Sequence, residues 1–447
     1  MVVRVRTRPA AHARRLRPDR ERRPWRRLGR AGGSDGVREV LPRQARLVHQ
    51  RHGELRLMAT RVAHHETRGG AWDIGAILRN LDYVLLAAVG VLVAYGLWIL
   101  GAVTSDDVPG DPRYYLVRQG FNVAVGAIAL TLAIAIDPDV YRRYRRVLYA
   151  AAIAMMGFVF VTGAAIRGSR RWIDLGFFRL QPSELGKVLL ILFLAGFLAD
   201  RTRRIENPKT ILAAVGLAAL PVFLVFLEPD VGTAIVYCGV LAAVLFLAGA
   251  RWRQLLALTL VAAVALLAVL WFLPAAGVQV LQPYQQERLT GFLHPQSDPA
   301  GATYNVNQSI TAVGSGGLNG RGVAGATQTR LDYLPEHATD FIFSSLAEQR
   351  GFLGASILLL LYALIAWRGI KVIAIAPDLF SAIAAGAIVV AFLLQVFVNV
   401  GMTTGIAPIT GITLPFVSYG GSSMLASMIM IGLLEAIHVR GRLAGRS

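Results

Sequence analysis

Residues 83–103 read YVLLAAVGVLVAYGLWILGAV. The stretch carries no charge and no proline, and a helix of this length spans about 30 Å, the thickness of a bilayer's hydrocarbon core. Similar apolar runs, separated by turn residues and charges, recur at 116–136, 147–166, 184–200, 210–228, 231–250, 254–274, 344–367, 379–401 and 418–437. The pattern predicts an all-α polytopic membrane protein with about ten transmembrane helices. It also predicts a large extracellular loop, 275–343, between the seventh and eighth. The composition agrees, because 55% hydrophobic and 16% charged residues in a chain of 447 is too apolar for a soluble protein of this size. Cys238, the single cysteine, lies inside an apolar run, which excludes disulfides and cysteine metal sites.

The net charge of +19 is unevenly spread. Residues 1–57 hold 17 arginines against five acidic residues and so supply +12 of it. This Arg-, Pro- and Gly-rich segment reads as disordered and lacks the apolar core of a signal peptide. It is either a basic arm on anionic membrane lipid or a leader upstream of a natural start at Met58, and the second is the expectation. Residues 58–80 then form a cytoplasmic segment, 81–440 the membrane domain and 441–447 a tail. Basicity in such a tail and in short connections does not point to nucleic acid.

Alternate connections gather Arg142, Arg143, Arg145 and Arg146; Arg201, Arg203, Arg204 and Lys209; Arg251 and Arg253; Arg368 and Lys371; and Arg440, Arg442 and Arg446 on one face. By the positive-inside rule that face is cytoplasmic, with both termini on it. The opposite face collects the connections where binding groups are expected. One of them breaks the charge rule: Arg167, Arg170, Arg171 and Arg179 crowd a single loop, which suits an anionic ligand or a carboxylate network with Asp174.

Gln181-Pro182-Ser183-Glu184 opens the fourth span, with Ser183 as a candidate cap and Glu184 and Lys187 three apart on one face. The pair is either an internal ion pair or a functional site, since ionisable groups at membrane depth are functional candidates. Glu228-Pro229-Asp230-Val231-Gly232-Thr233 breaks two apolar runs; its carboxylates are either solvated punctuation or hold a cation or Arg171. Gly314-Ser315-Gly316-Gly317-Leu318-Asn319-Gly320-Arg321-Gly322 permits close backbone approach to a ligand, or is simply a flexible loop. In Asp332-Tyr333-Leu334-Pro335-Glu336-His337-Ala338-Thr339-Asp340-Phe341, Pro335 suits a first helical turn, which would place Glu336 and Asp340 on one face. A partly desolvated carboxylate there can serve as a general base, as can His337, and spacing does not choose among them. Asn399 and the stretch 408–423 read as a packed, re-entrant turn.

In this order, these motifs resemble the SEDS family of bacterial cell-wall proteins, the group of RodA and FtsW. The matching residues are Arg171-Trp172-Ile173; Gln181 to Glu184 with Lys187; Glu228 to Thr233; Gly316-Gly317 with Gly320 and Gly322; Leu334-Pro335-Glu336 to Thr339-Asp340-Phe341; and Leu414-Pro415-Phe416 to Ser423. Within the family, Met402-Thr403-Thr404-Gly405 and Ile409-Thr410-Gly411, without the lysine typical of the division branch, look more like RodA. The resemblance implies a peptidoglycan glycosyltransferase that polymerises lipid II at the outer surface of the plasma membrane during cell elongation. Its partners would be a class B penicillin-binding protein and the elongation machinery. A division-specific polymerase and a lipid II flippase are the alternatives, and the flippase is disfavoured because the spans carry almost no charge below the outer boundary.

The family's essential loop carboxylate maps onto Asp340, the expected base. Arg171 and Lys187 are expected on the lipid diphosphate, with Arg321 or a divalent cation, Mg or Mn, as further positive charge. Glu184, Asp230, Asp332 and Glu336 are expected to shape the polar cavity or hold that cation.

Overall fold

The structure, a computed structural model, describes residues 74–445 apart from 163, 167–168, 175, 177, 294–302 and 332. The arginine-rich segment, the start at Met58, the residues up to 73 and Asp332 therefore lie outside the described residues.

A short helix, α1 (Ile74–Asn80), leads into α2 (Tyr83–Val103), α3 (Tyr114–Ala135) and α4 (Pro138–Thr162). A small antiparallel sheet follows, β1 (Ala164–Ile166), β2 (Ser169–Asp174) and β3 (Arg179–Leu180), in the order β1-β2-β3. Then come α5 (Pro182–Ala199), α6 (Pro208–Leu227), α7 (Val231–Leu247) and α8 (Trp252–Ala275), which contains a π-helical turn. The long connection folds into α9 (Pro283–Thr290), α10 (Tyr304–Ser315), α11 (Gly322–Gly325) and α12 (Thr327–Arg330). Three long helices close the chain: α13 (Ile342–Ile375), α14 (Leu379–Thr403) and α15 (Gly421–Ala444).

Among the described residues nine helices are long and apolar enough to cross a membrane, and α7, at 17 residues, is the shorter tenth apolar helix. All ten predicted spans therefore exist as helices. Helices α5, α14 and α15 are buried along most of their length, whereas α8 is almost wholly exposed. The bundle is thus built around the first three, with α8 at its rim.

Three boundaries differ from the sequence reading for one reason, one of them α15, which runs through Arg440 and Arg442 to Ala444. Helix α4 starts at Pro138 and takes Arg142 to Arg146 into its first turns, and α13 continues through Arg368 and Lys371 to Ile375. Charges were read as ends of spans, but a long basic side chain can stay in a helix and reach the boundary. Arg142 and Arg145 pair with Asp200, at 2.8 Å for the first. Arg368 donates to Asp82 at 2.7 Å, and Lys371 lies 3.5 Å from the centre of the Trp367 ring. The arginine-crowded loop is also not irregular, since it forms the β1-β2-β3 sheet, where Arg179 pairs with Asp174 at 3.5 Å.

The glycine run is held to a neighbouring helix by backbone hydrogen bonds. It lies against the first turns of α13, where Gly351 (φ 66°, ψ −164°) kinks the helix. Phe352 N–H donates to the Gly317 carbonyl at 2.9 Å, Leu353 N–H to that of Leu318 at 3.1 Å, and Arg321 N–H to that of Glu348 at 2.9 Å. A Cβ on Gly320, whose φ is +82°, would stand 2.2 Å from the Gln349 carbonyl oxygen. The Glu348 carboxylate accepts from the N–H groups of Gln328 and Thr329 at 2.8 and 3.0 Å, tying α12 to the same seam. Gly320→Ala is therefore expected to lower stability by about 3 kcal/mol, combining a left-handed backbone with a backbone clash. Thermal unfolding in detergent checks this.

Candidate active site

The turn 334–341 is the centre of the site, and it is not the helix start predicted for it. Helix α13 begins at Ile342, and Glu336 stands at φ 58°, a left-handed conformation unusual for a residue with a side chain. Glu336 and Asp340 therefore do not share a helical face. The Glu336 carbonyl accepts from Thr339 N–H at 3.1 Å and Phe341 N–H at 3.2 Å, and its carboxylate accepts from the Thr339 hydroxyl at 2.9 Å. Tight local bonds of this kind compete with helix and win here.

Consecutive carbonyls of this turn are held from outside. Tyr419 N–H donates to Ala338 O at 3.0 Å, the Ser418 hydroxyl to Thr339 O at 2.6 Å, and Asn399 Nδ2 to Asp340 O at 2.9 Å. Asn399 Nδ2 also donates to Ile412 O at 2.7 Å, so one buried amide in α14 staples the Asp340 turn to the segment 408–420. That segment carries its own left-handed residue, Phe416 at φ 67°. Strained backbone persists only where its surroundings over-determine it, as these bonds do. Gly411 (φ +72°) borders the carboxylate, and a Cβ there would lie 3.4 Å from Asp340 Oδ2. Asp340 is half-buried at this junction.

The Glu-Pro-Asp turn joins the same junction. A Cβ on Gly232 would lie 2.3 Å from the carbonyl oxygen of Thr410, beside Gly411. Asp230 caps α7: Oδ1 accepts from Thr233 N–H at 3.1 Å, while Oδ2 accepts from the Thr233 hydroxyl at 2.9 Å and Gln181 Nε2 at 2.8 Å. Arg171 spends two nitrogens on the main chain of this turn, Nε on Glu228 O at 2.6 Å and Nη2 on Pro229 O. Lys187 Nζ meets Glu184 Oε2 at 2.7 Å, with both side chains buried. Ser183 lies inside α5 rather than at its cap, which is Gln181, and leaves its backbone carbonyl to Tyr237 at 2.7 Å.

The structure thus brings together Asp340, Glu336, Asp230 and, through Gln181 and Asp230, the end of α5 with Glu184 and Lys187. Arg321 is elsewhere: exposed in the glycine seam, it donates Nε to Ser315 O at 3.0 Å. His337 turns both ring nitrogens to oxygens, Nδ1 to Leu334 O at 3.2 Å and Nε2 to Asp107 at 3.1 Å, which leaves it unsuited to act as a base. Among the described residues no group of three His, Cys, Asp or Glu side chains is placed to hold a metal ion. Asn399, Gln181 and Ser418 are residues whose positioning role the sequence reading missed. A buried amide one turn after Gln395 in the apolar run of α14 was the available signal.

Glu228 is buried with neither carboxylate oxygen hydrogen-bonded among the described residues. Burial pushes its carboxyl up to about 8, Asp230 adding to the shift and Arg171 opposing it. The folded protein therefore holds a proton that the unfolded chain releases near its ordinary 4.5. Stability from this group is present below that ordinary value and is lost as pH rises toward 8. The thermal midpoint in detergent is expected to fall across that window in the parent, and less steeply in Glu228→Gln.

Fold and site together define a polytopic membrane protein with a fixed carboxylate at one mouth of its helix bundle. The family model for the FtsW, RodA and SpoVE cell cycle proteins matches residues 79–443. The chain belongs to this family. It is 36% identical over 368 residues to the peptidoglycan glycosyltransferase MrdB of Escherichia coli K12, covering 82% of this chain and 96% of that one. It is 34% identical over 354 residues to the stage V sporulation protein E of Bacillus subtilis 168, covering 78% and 93%. Among solved structures, a chain from a peptidoglycan synthase complex that coordinates polymerization and crosslinking superposes with a TM-score of 0.69 at 30% identity, covering 81% of this chain and 98% of that one. The rod shape determining protein RodA of Thermus thermophilus superposes with a TM-score of 0.58 at 28% identity, covering 83% and 98%.

Proposed function

We propose that this chain is a peptidoglycan glycosyltransferase that polymerises lipid II into glycan strands at the outer face of the bacterial plasma membrane. Asp340 is its general base. The reading is carried by the capture of three consecutive carbonyls, 338 to 340, which fixes one half-buried carboxylate where two strained segments meet. Asp340 takes the proton of the acceptor sugar's hydroxyl as that oxygen attacks the donor's anomeric carbon, and the bond to the lipid diphosphate breaks with inversion.

The departing diphosphate needs positive charge. Arg171 and Lys187 supply it at the mouth, Arg171 beside the Glu-Pro-Asp turn it braces and Lys187 tempered by Glu184. A divalent cation, Mg or Mn, is a further source and is assigned to no particular residues, whereas Arg321 stands apart in the glycine seam. Glu184, Asp230 and Glu336 shape the polar mouth. The role is elongation, as Met402 to Gly405 and the segment 409–411 suggest, with a class B penicillin-binding protein of the elongation machinery as partner. The excess of basic residues on one set of connections supports a cytoplasmic location for both termini.

Reconstitution with and without a class B transpeptidase, using labelled lipid II, tests the reading. Glycan strands made by the parent support it. Transbilayer movement of lipid II with no glycan under any partner condition overturns it.

A further inference from the structure

The connection between α2 and α3 takes no part in the chemistry above, yet it reaches the Asp340 turn. His337 is buried although it lies in a surface turn. Its Nε2 is 3.1 Å from both oxygens of Asp107, which lies 230 residues earlier, and its Nδ1 is 3.2 Å from Leu334 O. A carboxylate oxygen only accepts, so His337 Nε2–H donates to Asp107, and this bond carries the ring across to the α2–α3 connection.

The two side chains keep only 9% and 17% of their accessible surface. The neighbouring pair, Asp106 with Arg330 at 3.4 Å, is far more exposed and contributes little. The Ser345 hydroxyl holds the His337 carbonyl at 3.3 Å, and the captured carbonyls 338 to 340 begin at the next residue. Tyr115, just after the same connection, meets Tyr419 edge to face at 5.0 Å, and Tyr419 N–H is the donor to Ala338 O. The turn is thus gripped along its main chain by the segment 408–420 and by its His337 side chain from the first connection.

We propose that Asp107 is a positioning residue for the base: through His337 it clasps the α2–α3 connection to the turn that carries Asp340. The inference rests on the reading of Asp340 as the base. A carboxylate moved by even about 1 Å loses much of its catalytic effect without losing substrate affinity. The clasp therefore acts on turnover rather than on binding.

The test compares Asp107→Asn, which keeps size but removes the charge, with Asp107→Glu, which restores a carboxylate. Two readouts are needed: amide hydrogen exchange of the 336–341 segment in substrate-free protein, and kcat and KM for polymerisation of labelled lipid II. Thermal unfolding reports the folded fraction. Expected are exchange at Thr339 and Phe341 raised about tenfold in Asp107→Asn, kcat lowered about tenfold with KM within twofold, and partial recovery of both in Asp107→Glu. Unchanged exchange overturns the clasp. Faster exchange with unchanged kcat, or a loss of kcat no larger than the loss of folded protein, overturns the positioning role. A parent that makes no glycan overturns the glycosyltransferase reading, and with it the positioning role, while the exchange data still decide whether the clasp exists.

Discussion

Asp340→Asn is expected to make glycan about 10³-fold more slowly than the parent while remaining folded and able to bind lipid II. Three of the bonds that hold the turn run to the main-chain carbonyls of Ala338, Thr339 and Asp340, and these survive the exchange of carboxylate for amide. What is lost is the acceptor for the hydroxyl proton. The measurement is initial rate of labelled glycan formation in proteoliposomes, alongside lipid II binding. An Asn variant within tenfold of the parent would remove Asp340 from its role and leave the turn as a purely structural element.

Breaking the Glu184–Lys187 pair from one side is expected to be the most destabilising single change outside the glycine seam. Lys187 is 1% exposed and its ammonium lies 2.7 Å from Glu184 Oε2, so Lys187→Met strands a buried carboxylate. A loss of about 3–5 kcal/mol is expected, whereas Glu184→Gln combined with Lys187→Met should recover most of it by removing both charges. Chemical or thermal unfolding in detergent measures the three variants. Assaying the stable double variant then separates support from chemistry: if Lys187 faces the diphosphate field as proposed, the double variant folds and polymerises poorly.

The helices and their order were legible from charge-free length alone, because a bilayer leaves the backbone few solutions. Span ends were less legible. Arg142 and Arg368 sit inside helices because Asp200 and Asp82 wait for them across the bundle, and no local pattern announces such distant partners. The site was partly legible. Its carboxylates and arginines stood out, but not what each one touches. Arg171 braces two carbonyls of the Glu-Pro-Asp turn and the glycine run packs against a helix backbone, contacts that no local spacing announces. The Pro335 helix start failed because local bonds around Glu336 outcompete a helical turn whose propensity was sound. In sequence Asn399 reads as a packing residue, because its two acceptors come from segments brought near only by folding.

The grip on the Asp340 turn also has a consequence for biogenesis. Its donors lie 59 and 79 residues downstream of the carbonyls they hold, in α14 and just before α15. A ribosome emitting this chain from its N-terminus delivers every candidate carboxylate before it delivers Asn399, Ser418 and Tyr419. A nascent chain inserted as far as α13 would hold the chemistry but not its alignment. Competence therefore arrives with the last two helices, and a chain that ends between α13 and Tyr419 is expected to be inserted but inert.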